Sequence, residues 1–186
     1  MNRHADAEIR RHLESGERLI WSGSPKQGLL LRPSDTFLIP FSLLWGGFAF
    51  FWEWSVLNSE SPGFFALWGI PFVLVGVYFI VGRFFVDARM RSNTYYGLTD
   101  RRVLILSGLT SRSVQSTPLR TLHEIGLSEK SDRSGTIVFG SPHPMAAWYQ
   151  GFAWPGMRQY QTPSFEGIAD ARAVHSEILN AQRAAV

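Results

Sequence analysis

The chain has 186 residues and a net charge of +3, Lys and Arg slightly outnumbering Asp and Glu. With no cysteine present, disulfides, thiolate metal sites and cysteine nucleophiles are excluded, and so mild and scattered a positive charge, without the stacking motif of an RNA-binding sheet, argues against a nucleic-acid partner. Mean hydropathy is close to zero, yet nearly all the strongly apolar sequence lies between Phe37 and Val86, and the flanks read like soluble protein.

From the N-terminus, residues 5–15 predict a short polar helix ending at Gly16. Residues 18–22 predict a strand, followed by the turn Gly23-Ser24-Pro25. The first apolar span, FLIPFSLLWGGFAFFWEWSVL, covers residues 37–57. At about 1.5 Å per residue it reaches roughly 31 Å, the thickness of a hydrocarbon core. The second, FFALWGIPFVLVGVYFIVGRFFV, covers residues 64–86 and reaches roughly 34 Å. Six residues separate the spans (58–63), which predicts an antiparallel transmembrane hairpin with both termini on one side. Core helices of soluble proteins are usually shorter and amphipathic, whereas neither span shows a polar face. Glu53 and Arg83 are their ionisable residues, each near an end, where the cost of a charge is smaller. The first span begins too far along the chain, and runs too long, for a cleaved signal peptide.

Lys and Arg placement predicts orientation. The 58–63 loop carries Glu60 and no base, whereas Arg3, Arg10, Arg11, Arg18, Lys26 and Arg32 precede the hairpin and Arg89, Arg91, Arg101 and Arg102 follow it. The positive-inside rule then puts both termini in the cytoplasm, in a multi-pass inner-membrane protein. Trp52, Trp54 and Trp68 would form an outer aromatic belt, and Arg83 would snorkel to inner-leaflet phosphates. Gly46, Gly47 and Gly76 lie at equal depth and are the expected helix-packing positions. With no polar residue at mid-depth, the hairpin offers an ion nothing to bind.

Strands dominate after the hairpin. Residues 95–98 and 102–107 flank a tight connection at Thr99-Asp100-Arg101. Strands at 113–117 and 122–129, a turn at 132–135 and a strand at 136–140 follow. Residues 167–183 predict a helix whose apolar stripe is Ile168, Ala171, Val174, His175, Ile178 and Leu179. The expected class is α+β, with a small half-open barrel plugged by that helix.

Three segments carry a family resemblance: GERLIWSGSP (16–25), YYGLTDRRVLILSG (95–108) and SDRSGTIVFG (131–140). In that order around a helical hairpin, and followed by a closing helix, they resemble the bacterial pleckstrin-homology (PH)-domain membrane proteins over roughly residues 16–182. The resemblance implies a PH-like antiparallel split barrel on the cytoplasmic face, with no enzymatic activity and no defined ligand. It divides the chain into residues 1–35 (a cytoplasmic helix and strand joining the PH-like sheet), the hairpin 36–86 and the PH-like domain 87–186.

Two sets of residues are candidates for function. Arg101 and Arg102 fit a structural role at a hairpin tip, where Asp100 bonds the turn backbone. In the functional reading they join Arg83, Arg89 and Arg91 in contacting anionic headgroups, each contributing about 1 kcal/mol. The segment 141–161 carries Trp148, Tyr149, Phe152, Trp154, Met157 and Tyr160. It reads either as a loop packing its aromatics on the barrel, or as an apolar surface for the membrane or a protein partner. Five histidines fall in separate elements without metal spacing, and neither a nucleophile elbow nor a phosphate-cradling loop occurs. No cofactor is expected. The expected function is a non-catalytic, membrane-anchored binding or scaffold module that contacts lipid headgroups or an unidentified protein. The alternatives are a structural subunit of a membrane complex or homo-oligomer assembled through the hairpin and, more distantly, an enzyme.

Overall fold

The computed structural model describes residues 3–31, 34–59, 63–108, 112–141 and 162–185. In chain order they form α1 (Arg3–Arg10), β1 (Leu19–Gly23), α2 (Asp35–Leu57), α3 (Gly63–Val77), a π-helical turn (Tyr78–Gly82) and α4 (Arg83–Ser92). Then come β2 (Tyr95–Thr99), β3 (Arg102–Ser107), β4 (Ser113–Pro118), a 3₁₀ turn (Leu119–Thr121), β5 (Ile125–Glu129), β6 (Gly135–Phe139), β7 (Ser164–Ile168) and α5 (Ala171–Ala185). These elements divide into two units, one built from described residues within 1–28, 88–144 and 160–186, the other from those within 29–87.

The first unit is α+β. One antiparallel sheet has the order β1-β2-β3-β4 and a second the order β5-β6-β7. These sheets are not closed into a barrel; they meet through side chains. Tyr96 and Leu98 of β2, with Val103 and Ile105 of β3, share a core with Ile137, Phe139, Phe165 and Ile168 of the second sheet. Phe165 stands at its centre, 4.7 Å from the Tyr96 ring and 4.9 Å edge-on to Phe139. The Tyr96 hydroxyl accepts the Glu166 N–H at 3.1 Å, so the tyrosine is buried without losing its polar contact. Helix α5 covers this core with Ala171, Val174, Ile178 and Ala181. Gln182 holds the helix in place by donating to the Leu119 and Leu122 carbonyls at 3.2 and 2.6 Å.

The other face of the four-stranded sheet is covered by α1. Ile9 packs with Leu104 and Leu106, supported by Leu13, Leu19 and Tyr95. Gly97 makes the close approach possible, since a Cβ there would lie 2.7 Å from the Ile9 Cγ2.

In the second unit α2 pairs with α3. The described residues of the second helical stretch run from Gly63 to Ser92, past the expected end at Val86. Two further boundaries differ from expectation. Helix α1 stops at Arg10 rather than Ser15, giving way to turns in which Gly16 takes φ +77°. The C-terminal helix starts at Ala171 rather than Gly167, because Gly167 (φ +60°) and Ile168 belong to β7. Ile168 sits three residues before Ala171 and so mimics the helical stripe, but it pairs with Gly135 across the sheet.

Candidate functional site

The tip of the β2–β3 hairpin is built around a buried carboxylate. Arg102 donates from Nε and Nη2 to the two oxygens of Glu17, each at 2.9 Å. Its Nη1 reaches Glu14 at 2.9 Å, and Nη2 also reaches the His12 carbonyl at 3.2 Å. The Thr99 hydroxyl donates to Glu17 at 2.7 Å while accepting the Arg102 N–H at 2.9 Å. The Glu17 side chain is fully buried. Burial alone would raise its pKa, but the Arg102 fork, the Glu14 N–H and the Thr99 hydroxyl outweigh it and hold the group at about 2. Asp100 exchanges backbone-directed bonds with Arg18: its carboxylate accepts the Arg18 N–H at 3.0 Å and its own N–H donates to the Arg18 carbonyl at 3.1 Å. Asp100 therefore ties the tip to the N-terminal segment, and Thr99 satisfies the turn backbone.

The expected headgroup contacts separate by environment. Arg91 is 3% exposed and donates to the carbonyls of Lys26 (2.8 Å) and Gly28 (2.7 Å), clamping the loop after β1. Arg102 is committed to the network above. Arg89 and Arg101 are solvent-exposed. A further cluster joins α1 to the start of β4: Glu8 accepts from Arg112 and Arg11, and the Arg112 hydrogen bond is the main reason that its carboxyl is held below the usual range.

In the helical unit Arg83 is 3% exposed and its Nη1 lies 2.8 Å from Asp35 Oδ1, with the guanidinium 4.5 Å from the Phe84 ring centroid. Gly46 and Gly76 meet, a Cβ on Gly76 falling 3.0 Å from the Gly46 Cα. A Cβ on Gly47 meets nothing within 4 Å, because the residue lies one position round the helix from the Gly46–Gly76 contact. Trp148, Tyr149, Phe152, Trp154, Met157 and Tyr160 lie outside the described residues. Among the described residues no group of three His, Asp or Glu is placed to hold a metal ion.

Glu17, Glu14 and Asp35 were not singled out by the sequence, and Thr99 was read only as part of the turn. The two glutamates are separated from Arg102 by the whole helical hairpin, and a glutamate before a strand carries no signal of burial. Asp35 lay just outside the apolar span.

A family model described as bacterial PH domain matches residues 41–182. The match begins after α1 and β1, although β1 pairs with β2 and Glu17 binds Arg102. No curated protein matches the chain, and no solved structure does.

Proposed function

The chain belongs to the bacterial PH-domain family, and on that premise we propose that it is a non-catalytic binding or scaffold module anchored in the inner membrane by its helical hairpin. The observation that carries this reading is the exposure of the helices. Their described residues run Asp35–Leu57 and Gly63–Ser92, with mean hydropathies of 1.2 and 2.3 over the most apolar stretch of each, yet 28% and 11% of those stretches are buried. The core helix of a soluble protein is mostly enclosed by its own fold. Here Leu44, Phe48, Phe51, Leu67 and Leu74 are each more than half exposed. Apolar surface of that extent needs a lipid-like surrounding, and two hydrogen-bonded helices of spanning length meet the backbone requirement of a bilayer.

The charge asymmetry supports a cytoplasmic position for the PH-like unit. Tethering gives it a high effective concentration at the membrane surface, so a modest contact suffices for function. Of the arginines expected at headgroups, Arg89 and Arg101 keep solvent-facing side chains, which supports that role for them. A protein partner is the other ligand of the module. The larger-assembly reading is less favoured, because Gly46 and Gly76 are occupied by each other.

The absence of native cysteine makes a direct test available. A cysteine at Ser59, in the connection between the helices, should react with a membrane-impermeant maleimide in intact cells, and one at Asn93 only after lysis. Equal labelling of the two before lysis, or protection of Ser59→Cys throughout, contradicts the proposal.

A further inference from the structure

The two sheets of the PH-like unit end in the strands β1, β4, β5 and β7. Three of these edges are interrupted or charged. The β1–β2 ladder shifts register between Leu19 and Trp21, and the β6–β7 ladder between Gly135 and Ile137. The loop after β1 also donates its Lys26 N–H to the Gly167 carbonyl of β7 at 2.8 Å. β5 ends on Glu129, which is paired with Arg172. β4 has none of these devices. It runs in unbroken register along β3, its sequence SVQSTP holds no charge, and Val114 is 45% exposed. An edge of that kind is a template for a further strand.

The free bonding groups of β4 follow from its register. The Leu119 N–H donates to the Arg101 carbonyl at 2.9 Å. Bonded and non-bonded pairs alternate along an antiparallel ladder, so Thr117, Gln115 and Ser113 are the residues that bond β3. Ser116 and Val114 turn their N–H and C=O groups to the open side. Pro118 also falls in that outward set, so its missing N–H costs the β3–β4 pairing nothing. Among the described residues no other strand or loop bonds the backbone of Val114 or Ser116.

We propose that β4 pairs antiparallel with β4 of a second copy, about a two-fold axis through Gln115. That axis sets Val114 against Ser116 of the other copy, so every outward N–H meets an outward carbonyl. An axis at Ser116 would set Val114 against Pro118, which has no N–H to return, and one at Val114 would reach past the strand to Arg112. The side chains agree: Ser113 opposes Thr117, Gln115 opposes itself, and no like charges meet. Arg112, just outside the strand, is already paired with Glu8. Ligands that add a strand are selected by side-chain contacts beside the edge, and the small uncharged side chains of β4 match a strand like itself. The contact lies within the PH-like unit and uses no part of the hairpin, so its failure would leave the anchoring proposal untouched.

The chain has no cysteine, so single cysteines in the full chain can read this register in intact cells treated with a membrane-permeant oxidant. Gln115→Cys would face its equivalent at a Cα separation of about 4.5 Å, within disulfide reach. Ser113→Cys would lie about 13 Å from its equivalent, out of reach. Gln115→Cys should therefore yield roughly tenfold more disulfide-linked dimer than Ser113→Cys. Adding Val114→Pro to Gln115→Cys removes an outward N–H that β3 does not use, and should abolish the cross-link. Should the proline variant fail to accumulate, the two single cysteines decide between them. The proposal is overturned if Gln115→Cys stays monomeric, cross-links no better than Ser113→Cys, or is captured at the mass of a different protein. A cross-link that survives Val114→Pro overturns it as well.

Discussion

Arg102 closes on Glu17 with two parallel hydrogen bonds, Nε to Oε1 and Nη2 to Oε2, each 2.9 Å long. The pair joins a segment that precedes the hairpin to a strand that follows it, so the PH-like unit is assembled from both sides of the helices.

That pair makes stability pH-dependent. Glu17 is held at about 2, below its ordinary 4.5, so the fold favours the ionised form. Its contribution is fully present above about pH 5 and is lost as pH falls towards 2. Glu17→Gln should cost about 3 kcal/mol or less at neutral pH. The Tm gap between native protein and variant should narrow steadily on acidification; a gap that is constant from pH 7 to pH 3 contradicts the assignment.

The arginines after the hairpin should divide into two classes. Arg91→Gln removes the clamp on Lys26 and Gly28, and should speed amide exchange in that loop. Arg89→Gln and Arg101→Gln should leave Tm unchanged and weaken binding of the protein, in nanodiscs, to vesicles rich in anionic lipid. Each substitution should cost up to about 1 kcal/mol of that binding. Unaltered vesicle binding in the double variant removes the headgroup role.

Ile9 tests whether α1 is part of the domain. It is fully buried against Leu104 and Leu106, so Ile9→Ala should cost about 2–5 kcal/mol. Gly97→Val should be comparably harmful, because its Cβ has no room beneath Ile9. A neutral Ile9→Ala in thermal unfolding would show α1 to be dispensable.

Neighbouring glycines of the hairpin should behave differently. Gly76→Leu forces the helices apart at Gly46 and should lower Tm in detergent. Gly47→Ala, where a Cβ meets nothing, should be neutral or stabilising by up to about 1 kcal/mol. Equal losses at the two positions would refute the assigned contact face.

Much of this architecture was legible in the sequence, because long apolar runs and alternating strands leave periodic traces. Both helical stretches and the β2–β3 hairpin follow from such traces. The strand β7 was hidden, since Ile168 continues the apolar spacing of α5 and only the left-handed conformation of Gly167 breaks the helix. The half-open barrel expected of the strands gave way to two separate sheets, because which distant strands pair has no local signature. Ionic contacts were the least accessible part. Whether an arginine faces solvent, as Arg101 does, or is held by a buried carboxylate, as Arg102 is, depends on residues brought together from across the hairpin.

The account depends most on residues 37–86 being solvated by lipid, and high-speed sedimentation of lysed cells after alkaline carbonate washing measures that directly. The full-length protein should stay in the membrane pellet and be released by detergent alone. Recovery of a detergent-free monomer in the supernatant would contradict it.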